Sequence, residues 1–286
     1  MSKEATVFDI SFCGLGDAVT SLWIAEGARA VGHEVLFRRG PHDKAVEVFG
    51  HKFTDDTTGG IGFGGPSDTY NTEMATKKKD RLPRPLQWQS HTPFNVQPLR
   101  PKAVIPDHAW EWALQISANR KSVDKPLVLM FPFANWATRN WPLTKWTRLS
   151  WRLHAKGAAV IASHKNETNL GGFPFYFYGY PTEHIMALMS IADVVIANDS
   201  GTAHLAGTLG ARTLAIMGPT DPYTVFGHCP EVQTISVSEE LVPCVGCHFE
   251  YDLGFRAWCD SGCEALNMLG VPLVEAKVWE MLQKTK

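Results

Sequence analysis

The sequence predicts an α/β protein made of two Rossmann-like halves with mostly parallel sheets, and three observations lead there. The chain opens on a strand, a Gly-containing turn and a helix. From Leu127 onward, apolar strand-like runs alternate with helix-like stretches, the pattern of parallel strands covered on both faces. Its 286 residues, 44% of them hydrophobic, supply enough apolar material for one large core or two ordinary ones.

Taken in order, Ala5 to Phe12 has the β-branched and aromatic content of a strand and meets the turn Cys13 to Gly16. A helix is expected from Asp17 to Val31, punctuated by Gly32, and a second strand over Glu34 to Arg38. From Thr54 to Pro106 the pattern fades into TTGGIGFGGPSD, the basic run KKKDR and recurrent prolines, which read as long loops and a candidate acceptor surface or a solvated insert. A helix over Trp110 to Ala118 and the polar stretch to Asp124 close the first half, placing the boundary near Ser122: domains 1–122 and 123–286. The second half reads as strand Leu127 to Phe133, helix Leu143 to Lys156, strand Ala158 to Ser163 and a short strand near Phe175 to Tyr178. Helix Thr182 to Ile191, strand Val194 to Ala197, a helix from Gly201, strand Arg212 to Met217 and a terminal helix Leu273 to Leu282 complete it.

Composition excludes several classes. A formal net charge of −2 lacks the basic excess of a dedicated nucleic-acid binder, so an anionic substrate has to be held by local groups. MSKEATVFDISFCGLGDAV puts acidic and polar residues where a signal peptide needs apolar ones, and no segment approaches the roughly 18 uninterrupted apolar residues of a membrane span. No membrane span and a cytoplasmic location are therefore expected. Six cysteines are too sparse for a disulfide scaffold.

In open parallel sheets ligands bind beyond the carboxyl ends of strands, so the loops that directly follow strands are the informative ones. In CGLGDAV, Gly14 and Gly16 allow close approach of a ligand to the backbone, and Asp17 stands at a helix start as general base or simple N-cap. The small third position of a dinucleotide fingerprint is filled by Val19, which weakens a dehydrogenase reading. In FPFANWATRNWP, Arg139 presents a guanidinium where phosphate would lie, or is a surface arginine. In VVIANDSGTAHLAGTLG, an apolar strand delivers Asp199, Ser200, Gly201 and Thr202 to a helix N-terminus, a ready cradle for a diphosphate. Ala203 continues that turn, and His204 is either a ligand to donor oxygens or a packed core histidine.

Cys244, Cys247, Cys259 and Cys263 have the two-pair spacing of a structural metal site, with zinc as the expected metal, an iron–sulfur cluster as the lesser option, and free thiols or adventitious disulfides as the plain one. Four protein ligands leave no open position, so the role is structural and no cofactor is expected for catalysis.

With these loops in order, the chain resembles glycosyltransferase family 9, the heptosyltransferase-like enzymes of the GT-B fold. The resemblance rests on NDSGTAHLAGTLGARTLAIMGPTDP and on the supporting GLGDAV, and is densest from Phe131 to Asp221. It implies a hexosyl- or heptosyl-type transferase. The first half is then the acceptor side, and the second the nucleotide-sugar side with a Cys-rich insert. It further implies inverting transfer from a nucleotide-diphospho-sugar to a saccharide or other hydroxyl without a catalytic metal. Asp17 aligns with the family's base, and Asp199 to His204 with its donor loop. Arg139 replaces a lysine of the family's K-x-W-P pattern, and the first half is short for the family. Cysteine-rich inserts occur in some of its relatives.

Two other readings stay open. One is a non-enzymatic nucleotide- or sugar-binding module. The other is the same chemistry on a modified nucleic-acid base, with Lys77, Lys78, Lys79, Arg81 and Arg84 contacting phosphates.

Overall fold

The computed structural model describes residues 5–56, 58–63, 80–93, 95–120, 125–164, 170–247, 259 and 262–284. Two parallel sheets organise the chain. In the first half the elements are β1 (Thr6–Asp9), α1 (Leu15–Ala30), β2 (Val35–Arg38), α2 (Asp43–Val48), β3 (Lys52–Thr54), β4 (Ile61–Gly62), α3 (Arg84–Trp88) and α4 (Asp107–Arg120). The second half comprises β5 (Leu127–Phe131), α5 (Leu143–Ala155), β6 (Ala159–His164), β7 (Tyr176–Tyr178), α6 (Thr182–Ile191) and β8 (Val194–Asn198). It continues with α7 (Gly201–Thr208), β9 (Thr213–Ile216), α8 (Pro222–Phe226), β10 (Val232–Ile235), α9 (Glu264–Met268) and α10 (Val271–Gln283).

The expected strands and helices of the second half recur to within a few residues. The Gly- and Pro-rich segment holds short pieces, β4 and α3, and residues 64–79 lie outside the described residues. Sequence reading missed α2, β3, α8, β10 and α9, which are too short for a periodic signal to accumulate.

The strand orders are β3-β2-β1-β4 and β10-β9-β8-β5-β6-β7, every pairing parallel. Each order reverses direction once, between β1 and β4 in the first sheet and between β5 and β8 in the second. Those reversals open a crevice at the carboxyl ends of β1, β5 and β8, because the following connections leave toward opposite faces. Period-2 alternation sorts the second sheet's side chains: Leu127, Leu129 and Phe131 of β5 enter one core, Val128 and Met130 the other.

The first of these cores runs unbroken from Phe8 in the first half to Val232 in the second. Two helix pairs carry it across the expected boundary. α1 packs on α7, and α4, with Ala109 and Ala113 buried, packs on α6. The Trp23 indole N–H adds a hydrogen bond to the Thr208 hydroxyl at 2.9 Å.

Candidate functional site

The loop after β1 and the loop after β8 meet where α1 and α7 begin. Both helices start on small residues: Gly14 is the N-cap of α1 and Ser200 that of α7. A Cβ on Gly201 would lie 2.6 Å from the Cβ of Leu15 and 2.9 Å from the backbone nitrogen of Gly16, and one on Gly16 would lie 2.9 Å from the His204 ring. Gly16 therefore does something the sequence did not reveal. It admits the other half's helix, not only a ligand. Two positive helix ends converge as a result.

Asp17 sits in the first turn of α1, three residues past the cap, so it is not the N-cap itself. Its Oδ1 pairs with the Arg84 guanidinium at 3.5 Å, and its side chain keeps a quarter of its surface open to solvent. α3 supplies that arginine from the proline-rich segment: Pro83 and Pro85 frame the start of a single turn whose Arg84 is buried over Trp88. The expected phosphate-binding role for Arg81 and Arg84 does not fit, because both are buried, at 5% and 6% exposure. Lys77, Lys78 and Lys79 lie outside the described residues.

Arg139 emerges after β5, on a short 3-10 turn. Its Nε lies 3.3 Å from Oδ2 of Asp199, and its guanidinium stacks 4.2 Å from the ring of half-exposed Trp136. Asp199 is 1% exposed and also accepts a hydrogen bond from Thr220 of the turn after β9. A buried carboxylate facing an arginine aims that arginine, and the guanidinium rim is the part left for an anion. Asn198, at the end of β8, binds the Trp141 N–H at 3.1 Å and the Pro132 carbonyl at 2.8 Å, tying the Arg139 loop to the β8 end.

At the start of α7 the Ser200 and Thr202 hydroxyls hydrogen-bond each other at 2.7 Å. The N–H groups of Ala203 and His204 already bond the Ser200 carbonyl, which leaves Gly201 and Thr202 as the donors free of intrahelical bonds. His204 departs from its expected donor contact. It is 3% exposed, turned onto α1 with its Nδ1 3.4 Å from the Thr20 hydroxyl, and packed 4.6 Å from Phe226. Burial, reinforced by Arg84, His228 and Arg139, holds it well below the ordinary imidazole range, so it is a neutral packing residue between the halves.

The cysteines gather beside the turn after β9. Gly246, at φ 77°, shapes the Cys244 to Cys247 turn, which is closed by the Cys247 N–H to Cys244 carbonyl bond, and its own N–H bonds Gly218. Gly262, at φ 81°, donates its N–H to the Cys259 carbonyl and precedes Cys263, the N-cap of α9. Burial raises the Cys263 thiol, while the N–H groups of Leu266 and Ala265 donate to its sulfur and Cys244 and Cys259 act on it as neighbouring charges. Among the described residues, no three of these four thiols lie close enough together to hold one metal ion as they stand. All six cysteines are free thiols.

Residues 182–251 match the model of glycosyltransferase family 9 (heptosyltransferase), a stretch that includes α6, β8, α7 and the first two clustered cysteines. No curated protein sequence matches the chain. Among solved structures it is similar to the Escherichia coli ADP-heptose lipopolysaccharide heptosyltransferase II, at 12% identity and TM-score 0.64, covering 98% of this chain and 99% of that one. It is also similar to a family 9 glycosyltransferase from Veillonella parvula, at 13% identity and TM-score 0.66, covering 98% and 97%. A third is the dodecameric iron-containing heptosyltransferase TibC of E. coli in complex with ADP-D-β-D-heptose, at 13% identity and TM-score 0.69, covering 99% and 77%. The resemblance to family 9 thus holds, and the fold is the heptosyltransferase-like GT-B arrangement of two parallel-sheet halves. Among the described residues no helix is long and apolar enough to cross a membrane.

Proposed function

We propose that the protein is an inverting glycosyltransferase that moves a sugar of the heptose type from a nucleoside-diphosphate sugar to an acceptor hydroxyl, with Asp17 as general base. The observation that carries this reading is the seam at Gly16 and Gly201. It sets an ionisable, partly open carboxylate beside a helix N-terminus and an aimed arginine, at the switch points of both sheets.

Chemically, the parts divide the work. Asp17, held by Arg84, takes the proton from the attacking hydroxyl, a role worth about 10²–10⁴-fold in rate. Attack from the side opposite the diphosphate inverts the anomeric centre. Charge gathering on the departing diphosphate meets the Gly201 and Thr202 N–H groups, the Ser200 and Thr202 hydroxyls and the Arg139 guanidinium. Asp199 acts through Arg139, as a positioning residue. The bound donor named for TibC supports a nucleotide-heptose as the first donor to test, and the lipopolysaccharide named for heptosyltransferase II supports a saccharide as the first acceptor. In this reading Cys244, Cys247, Cys259 and Cys263 hold a structural metal. Zinc suits four thiolates, and the iron named for TibC makes iron the alternative. A cytoplasmic location would supply the donor and keep the thiols reduced.

Thermal shifts against nucleoside diphosphates and their sugar conjugates test this directly, since a ligand of the folded state raises Tm. One nucleotide family should stabilise the protein, with the shift reduced in Arg139→Ala. Turnover should vanish in Asp17→Asn while the shift persists. Stabilisation with no turnover in the unmodified protein, whatever the acceptor, would favour a non-enzymatic binding module. No stabilisation at all would remove the donor site.

A further inference from the structure

His108 stands on the first turn of α4, and Glu183 and His184 on the first turn of α6. Their ligand atoms all lie within 4.8 Å of one another, across the contact that joins the helix leaving the first half to the second half. The group shares no residue with the seam at Asp17 or with the cysteines.

Several features show a set held in place. Ala109 and Ala113 are buried on α4, and small side chains there let α6 approach. Trp112, one turn along from His108, packs edge-on against the His184 ring at 5.2 Å and an interplanar angle of 75°, and is itself covered by Tyr180 at 4.6 Å. The His108 ring lies 5.3 Å from that of His184. His184 has its Nδ1 buried without a hydrogen-bond partner among the described residues. With no hydrogen bond to that nitrogen among the described residues, nothing commits the His184 ring to another partner, and a second imidazole and a carboxylate face it within ligand reach.

We propose that His108, Glu183 and His184 bind a divalent transition-metal ion that clamps α4 onto α6. Two imidazoles and one carboxylate form a borderline donor set suited to zinc or cobalt, and His108 is exposed, so water completes the coordination. The surrounding field is not a general attractor for cations. Lys44 of α2 is close enough to feel Glu183, and both helix N-termini are positive. Direct coordination by the two imidazoles, with Glu183 as the oxygen ligand, is what selects a transition metal over a hard cation. Such a clamp fixes the helix by which the chain enters the donor half, a structural role independent of the transfer chemistry.

Cobalt(II) titration of the full-length protein tests it, because the cysteine set and the histidine set give different spectra. Thiolate ligation produces a strong near-ultraviolet sulfur-to-metal charge-transfer band, and an imidazole and carboxylate site does not. The unmodified protein should bind one equivalent without that band, and this equivalent should disappear in H108A and in the H108A/H184A pair, leaving any thiolate band unchanged. E183Q should weaken it by tenfold or more. His108 is exposed, so H108A keeps the fold, and an unchanged metal-free Tm verifies this. The same cobalt stoichiometry in the double variant, or a thiolate spectrum alone in the unmodified protein, would overturn the proposal.

Discussion

In the second half β5 and β8 are buried at every residue, whereas β1, which holds the corresponding switch-point position in the first half, is fully buried only at Phe8. Among the described residues the second sheet has six strands and the first four, with β4 only two residues long. The halves differ in what they hold. A site for a nucleotide diphosphate needs fixed backbone donors, and a strand covered on both faces fixes them. In the first half a proline-framed turn brings Arg84 to Asp17 in the first turn of α1. On the proposed reading, the fully buried strands lie on the donor side, while Asp17 and its arginine partner come from the less buried half.

Asp17→Asn gives the largest expected contrast: transfer falls about 10²–10⁴-fold with donor binding intact, measured by initial rates beside thermal shifts. Equal losses from Asp17→Asn and from a change of Ser200 to Ala would break the division of labour between the halves.

Core truncation sharpens the same comparison. Leu129→Ala, in a strand buried at every position, should cost about 2–5 kcal/mol in chemical denaturation, the range for leucines buried like this one. Leu36→Ala, at a half-buried position of β2, should cost clearly less. Similar losses would show that the first half is packed as tightly as the second.

The seam between the halves is tested by Gly201→Ala. Its Cβ would fall 2.6 Å from Leu15 and 2.9 Å from backbone, so overpacking should cost about 1–3 kcal/mol. Gly171→Ala, with nothing within 4 Å of the added carbon, serves as the neutral reference. An unchanged Tm for Gly201→Ala would mean that α1 and α7 do not meet this closely.

The last contrast is read against pH. Burial depresses His204 strongly and His228 to about 3, so each ring takes up a proton more readily in the unfolded chain. Folded pKa values below the unfolded one near 6.5 mean that this contribution is complete above about pH 6.5 and is lost as pH falls from there toward about 3. Urea midpoints measured from pH 7 to pH 4 should fall less steeply in His228→Gln than in the unmodified protein. Parallel curves would show that the ring is solvated.

The second half was readable because β5 and β8 are buried at every residue and strand- and helix-like runs alternate along it, so β8 and α7 stand out as VVIAN followed by GTAHLAGT. The β1 turn with Asp17, the β5 loop with Arg139 and the β8 loop with Asp199 were each visible as residues following a strand. Their mutual placement was not visible, because the strand order that brings β5 beside β8 is set by contacts distant in sequence.

By itself, then, the sequence determined the α/β class, the alternation of elements from Leu127 to Met217 and the strand-following loops that were the candidates for chemistry, since local periodicity and glycine placement are properties of neighbours along the chain. Only the tertiary structure decided that Arg84 is buried against Asp17 and that Gly16 and Gly201 make room for each other's helices. It alone turned His204 into a neutral packing residue and drew His108 toward Glu183 and His184. Each of those outcomes depends on which faces two distant helices turn toward one another, and packing two halves around one shared core fixes that orientation.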